Sequence, residues 1–307
     1  QATLWTKDPN DQIRISATRE TFGLLGVVIA VAMPSFLTHL TAPDHVYRWY
    51  SATLVFFMIA GVISFGKTMP TVVNGTTIGP TMAGKKSLSV ASALGKLSPE
   101  SAKLFIVYGI SMLSSSMPAI LVIFYIRDLL GAESLTGLFL LVYFLAGAAG
   151  MPLWKKLCLR LGKYITWALA NIIAVIGLIC AFFLVAGAVW PYAAVCLVSG
   201  LALGADLSLP PSILSDHIHT RGTTGNSGTY YAFLAFIAKA SLALASATTL
   251  PLLSIAGFKP QAVNSHEALL ALSTAYALIP CILKLIAASL LYIFFIRSKS
   301  GDIHENT

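Results

Sequence analysis

Four ionisable side chains, Lys239, Arg19, Asp206 and Lys284, stand inside long apolar stretches of this 307-residue chain, where a charge needs a reason to be. Lys239 lies about thirteen residues into an apolar run, near the centre of a hydrocarbon core about 30 Å thick at about 1.5 Å of helix rise per residue. An ammonium there costs several kcal/mol unless it meets water, a partner or a ligand. Gly228, Ala232, Ala235, Ala243 and Ser246 recur around it at helical spacing. Such a small-residue stripe leaves open volume or permits close helix approach. A substrate-facing lysine is the favoured reading, and a lysine paired to a neighbouring helix is the alternative. Arg19 repeats the pattern with Gly23, Gly26 and Ala30 on its face, although an arginine one turn inside the boundary can also snorkel to the head groups. Asp206, four residues before Pro210, is the natural partner for Lys239. It could also serve proton or cation coupling, and a static ion pair would leave the same sequence. Lys284 follows Pro280 and reads as a cation bonded to a freed carbonyl.

Ser114, Ser115 and Ser116 precede Pro118, with Tyr108 two turns earlier. This makes a helix that is polar at mid-membrane and suited to a cavity wall, so Tyr108 joins Arg19, Lys239 and Asp206 as a candidate substrate contact. The alternative is serines bonding back to their own helix. No HExxH, GxSxG or phosphate-loop motif occurs, and no pair of carboxylates shares a helix face, so nothing points to an enzyme. Asp216, His217 and His219 read as solvated residues of a short loop, and no metal site or cofactor is expected.

The elements that must position these residues are membrane helices. The chain is 57% hydrophobic and 10% charged, against about 25% charged in soluble domains. Apolar stretches near 16–38, 49–66, 104–126, 134–154, 164–187, 191–213, 227–252 and 268–296 are each long enough to cross a bilayer, giving an all-α membrane protein of about eight transmembrane helices. Their Pro34, Pro118, Pro152, Pro210, Pro211 and Pro280 free backbone carbonyls, and the adjacent Pro210 and Pro211 are expected to bend or end their span. The stretch 67–103, with Pro70, Gly75, Gly79, Pro80, Gly84 and Pro99, reads as a central loop. It divides two spans in 1–66 from six in 104–297, followed by a tail at 298–307.

The net charge of +8 lies in the short loops rather than on a nucleic-acid-binding stripe. Fourteen of the basic residues fall on one side of the membrane, Lys155, Lys156, Arg160 and Lys163 among them, against Arg48, Arg127 and Lys259 on the other. The positive-inside rule then makes both termini cytoplasmic and requires an even number of spans. Cys158, Cys180, Cys196 and Cys281 sit in or at the ends of apolar helices and read as small buried residues. The first residues are polar, so no signal peptide is expected.

Three segments carry a family resemblance. LPPSILSDHIHTRGTTGNSGTYYAFLAFIAKASLALASA, Leu209 to Ala247, resembles the loop between helices ten and eleven, and helix eleven, of the glycoside-pentoside-hexuronide cation symporters, the melibiose-carrier-like branch of the major facilitator superfamily. TKDPNDQIRISATRETFGLLG resembles that family's loop into helix five, and PLWKKLCLRLGKY its basic turn between helices eight and nine. The resemblance implies a major facilitator-type bundle containing helices five to twelve, with the first four missing. It places Arg19 at a sugar-contacting arginine and Lys239 at a functionally important lysine. It also implies that the site of a Na+ or H+ coupling ion lies in the missing helices.

The expected function is cation-coupled sugar or glycoside symport by alternating access in the inner cell membrane. The expected partners are a small-molecule substrate and the lipid bilayer, with no nucleic acid and a monomeric state. The alternatives are a lysolipid or other amphiphile carrier, and a non-transporting truncated membrane protein. With one wall of a midplane site largely absent, the 307 residues alone are expected not to transport, and uptake into liposomes holding only this chain would refute that.

Overall fold

The computed structural model describes residues 45–68, 98–220 and 227–297, with single residues and short helical runs between positions 22 and 37. Arg19, Pro34 and most of the expected span 16–38 lie outside the described residues. Every long element described is a helix, and seven are long and apolar enough to cross a membrane. They fall in two compact units, Ile29–Ser98 and Gln1–Val28 with Pro99–Thr307.

In the smaller unit α1 (Val46–Thr68) is apolar on all sides. Phe56, Met58 and Val62 are all exposed, as suits a helix whose surroundings are hydrocarbon rather than water. Ser51 and Thr53 donate to the carbonyls four residues back, at 2.9 and 2.7 Å, so their hydroxyls add no polarity to the surface.

Among the described residues the larger unit is a bundle of six spans. α2 (Pro99–Phe124) begins inside the stretch expected to be loop, with Pro99 at its first position and Glu100 in its first turn, and ends in a π-helical turn at Tyr125–Leu129. α3 (Thr136–Leu161) follows, and Gly162 at φ 81° makes the turn into α4 (Lys163–Phe182), donating its N–H to Cys158 O at 2.9 Å. α5 (Val189–Thr220) and α6 (Ser227–Ile255) come next. The last span joins α7 (His266–Ser273), capped by Ser265, to α8 (Ile279–Leu291) through a π-helical turn at Thr274–Leu278. That wider turn directly precedes Pro280, whose ring would otherwise press on the carbonyl four residues back.

Pro210 and Pro211 do not end their helix, which continues to Thr220. Asp216, His217 and His219 therefore occupy the last turn of α5 rather than a loop. Asp216 pairs with Lys163 at 2.6 Å, His217 Nε2 shares a hydrogen bond with the Tyr164 hydroxyl at 2.7 Å, and Tyr164 stacks on Phe295. These contacts lock α4, α5 and the last span together at one end of the bundle. At the other end Gly187 N donates to Leu130 O and Gln261 N to Asp128, tying the connections together. Of the four cysteines, all free, Cys158, Cys196 and Cys281 are buried as expected and Cys180 is exposed.

α5 is the central element, packing on α3 and α4, while α8 packs on α4 and α2, and α2 on α6. The α3–α5 crossing is close because Gly200 and Gly204 face the backbone of Tyr143 and Gly147. A Cβ added at Gly200 would fall 2.3 Å from Tyr143 O, and Trp154 Nε1 donates across the same interface to Leu201 O at 2.7 Å. We expect Gly200→Ala to destabilise the protein by about 1–3 kcal/mol through overpacking. Gly228→Ala, which meets nothing within 4 Å, should have no such effect. Thermal unfolding of the two variants in the same detergent checks the difference.

Candidate functional site

The polar centre of the six-span unit is built from four helices. Ser111 and Ser115 lie one turn apart on α2, Trp167 and Asn171 one turn apart on α4, Asp206 on α5 and Lys284 on α8. The spacing of four in α2 and α4 puts each pair on one helix face, which packing turns inward. Asp206 and Lys284 are 4% and 2% exposed, so this is a buried ion pair rather than a surface one.

Lys284 Nζ donates to Asp206 Oδ2 and, at 2.9 Å, to Ser111 Oγ. Asp206 Oδ2 also accepts from Ser115 Oγ at 3.1 Å, and Oδ1 accepts from Trp167 Nε1 at 3.0 Å. Ser111 Oγ lies 3.2 Å from both Asp206 Oδ1 and Asn171 Oδ1, and its single proton serves one of them at a time. Asn171 Nδ2 donates to Trp167 O at 3.1 Å, which fixes the amide against its own helix. Both carboxylate oxygens are thus satisfied, as a buried charge requires.

Two sequence expectations are corrected here. Asp206 is not the partner of Lys239, because Lys284 on α8 occupies both the volume and the charge beside it. Lys284 is likewise not bonded to a freed carbonyl. Ser114 Oγ donates across to the Pro280 carbonyl at 2.8 Å. The serine run splits three ways, since Ser115 reaches Asp206 while Ser116 bonds back to Met112 O at 2.7 Å.

Lys239 on α6 is exposed, and among the described residues it makes no hydrogen bond or ion pair. Gly228, Ala232, Ala235 and Ala243 are exposed with it and Ser246 is half-buried, so among the described residues most of the small-residue stripe is left unpacked. The opposite face of α6 is what packs, with Ser241 donating to Gly109 O at 3.3 Å and Phe233 meeting Phe105 edge to face. Tyr108 is buried in α2 and does not line the cavity described next. Arg19 lies outside the described residues.

A cavity of about 250 Å³ opens beside the ion pair, lined by α2, α3, α4, α5 and the last span. Ser115, Asp206 and Lys284 form its polar end. Phe139, Tyr143, Tyr192 and Tyr276 line it further along. The Tyr192 and Tyr276 hydroxyls share a hydrogen bond of 2.8 Å, so their polar atoms are already engaged. Ser111, Trp167, Asn171 and Lys284 went unrecognised as a group in the sequence. An asparagine and a tryptophan one turn apart in an apolar span, opposite two serines with the same spacing, were the signal. Among the described residues no cluster of His, Cys, Asp and Glu could hold a metal ion.

The sequence model of the family described as MFS/sugar transport protein matches residues 2–298. Over 314 aligned residues the chain is 23% identical to the glucuronide carrier protein homolog of Escherichia coli (strain K12), covering 97% of this chain and 65% of that relative. The chain thus spans less than two thirds of the length of the curated relative it matches.

Removing one partner of a buried pair leaves an uncompensated charge, worth about 3–5 kcal/mol. Lys284→Met should lose stability on that scale, and Asp206→Asn with Lys284→Met should lose less than the sum of the two single changes. Chemical denaturation of the four proteins, read as a double-mutant cycle, checks the coupling.

Proposed function

The chain belongs to the MFS/sugar transport protein family, and on that premise we propose that it carries a sugar or glycoside across the membrane by alternating access, coupled to a cation. It is a multi-pass membrane protein and a transporter rather than an enzyme. The observation that carries the reading is Lys239, a cation about midway along α6, exposed on a stripe of small residues, while the acid that could have neutralised it is held by Lys284. A midplane cation left open is suited to a substrate, binding hydroxyls or an acidic group through charge-assisted hydrogen bonds. The relative's name as a glucuronide carrier is consistent with an acidic sugar as cargo. The proposed setting is the inner cell membrane with both termini cytoplasmic, which rests on the loop-by-loop distribution of Lys and Arg. The proposed coupling ion is Na+ or H+, and the proposed state is monomeric.

The amphiphile-carrier reading would need an apolar groove with a cation near it. A groove of about 340 Å³ does lie between α2, α6 and the last span, lined by Met117, Leu252, Leu270 and Ile279, but its charged lining residue is Glu267, which repels a phosphate head group. Sugar cargo is therefore favoured.

In cells expressing the chain within its natural reading frame, labelled glucuronides and galactosides should accumulate, and collapsing the sodium or proton gradient should abolish accumulation. Lys239→Ala should lower uptake by about tenfold or more at unchanged membrane abundance, the scale of one lost charge-assisted contact. Unchanged uptake by that variant would overturn the assignment of Lys239.

A further inference from the structure

We propose that the cavity beside the Asp206–Lys284 pair is a second subsite, which takes the uncharged ring of a glycoside's aglycone while the sugar stays outside it. This inference rests on the glycoside-transport reading and deepens it. Three properties of the cavity select the ligand. The first is its size, because about 250 Å³ falls below the roughly 300–1,000 Å³ of pockets that bury a whole drug-sized molecule, and suits one ring rather than a complete conjugate.

The second is its wall. Tyr143 and Phe144, with Leu203, offer side-chain surface to an aromatic ring, backed by Phe139, Tyr192 and Tyr276, which are almost fully buried and packed on one another and on Tyr125. They offer few free polar atoms, since the hydroxyls of Tyr192 and Tyr276 bond to each other and Ser199 donates to Val195 O at 2.6 Å. A hexose placed there would bury several hydroxyls without partners, at about 1–3 kcal/mol each on mutational scales, so the sugar is disfavoured where an apolar ring is not.

The third is its charge. Lys284 and Asp206 neutralise each other, Ser115 and Trp167 donate to the carboxylate, and Ser111 Oγ takes a second of the three ammonium protons. An anionic ligand would have to separate the pair and then meet the Asp206 carboxylate, so the group in the cavity is uncharged. The acidic or hydroxylated part of the substrate is left for cations outside the cavity, such as Lys239.

The cavity runs along about four turns of α5, from Tyr192 to Asp206, and along α2 from Ser115 to Val122. Small residues at Ala174 and Ala202 keep it open, and both are buried against it. Enlarging either should close the subsite without touching the polar network.

The test is equilibrium binding of methyl, hexyl and phenyl β-D-glucuronides, and of the matching galactosides, to the protein expressed within its natural reading frame and placed in lipid nanodiscs. Phenyl glycosides should bind about tenfold or more tightly than methyl glycosides, the discrimination an apolar pocket supplies. Ala202→Leu and Ala174→Val should remove that advantage and leave methyl glycoside affinity unchanged, which also shows that the variants fold. An azidophenyl glycoside should crosslink to α3 or α5 residues of the cavity, a measurement that needs no variant. Equal affinity for phenyl and methyl glycosides, a phenyl advantage that survives both variants, or crosslinks confined to other residues would overturn the subsite and leave the transport reading standing. A hexyl group that gains as much as phenyl would overturn the ring assignment. Binding of none of the six compounds would remove the glycoside reading itself, and the subsite with it.

Discussion

The ion pair between Asp206 and Lys284 is the constraint on which the larger unit depends. Taking a carboxylate and an ammonium out of water costs several kcal/mol per ion, which their attraction offsets only when the geometry is close and the remaining lone pairs are filled. Filling them takes Ser111 and Ser115 from α2 and Trp167 from α4, besides the two ions on α5 and α8. A slip of any one of these helices by a residue would leave a buried charge or an indole N–H without a partner. The network thus acts mainly as a fix on helix register, because apolar replacements of similar shape can match such a pair in stability.

α5 can carry the acid only because another part of its surface solves a different packing problem. Gly200 and Gly204 share one face and bring α3 within backbone contact, while Asp206 lies about 200° further round than Gly204 at 3.6 residues per turn. One helix therefore presents a smooth glycine surface to α3 and its carboxylate to α2, α4 and α8. The two prolines that follow do not interrupt it, and the extra turns they lead into carry Asp216 and His217 to their partners on α4.

Two lysines at membrane depth are treated in opposite ways. Lys284 is enclosed and neutralised, while Lys239 is exposed on an unpacked stripe of small residues. The physical distinction is one of surroundings: Lys284 ties α8 to the carboxylate of α5, while the exposure of Lys239 is what the proposed substrate role draws on. The cavity beside the enclosed pair inherits its neutrality, which is why its chemistry is that of an apolar ring and not of an acid.

Much of the architecture was legible in the sequence, because the cost of exposing backbone polar groups to lipid leaves helices as the natural solution for apolar runs of this length. The seven described spans fall where hydropathy placed them, and the segments around Lys239 and Lys163 carried the family resemblance. A single sequence registers which residues are costly in lipid, so Lys239, Asp206 and Lys284 all stood out. It does not register which of them meet, since that depends on the rotation and crossing of helices far apart in the chain. Asp206 and Lys284 are 78 residues apart, and Ser111 and Lys284 are 173 apart. Local pattern marked the charges as needing partners, and only the packing of four helices around α5, set by glycine contacts and by the filling of the carboxylate's lone pairs, decided that Lys284 and not Lys239 would meet Asp206.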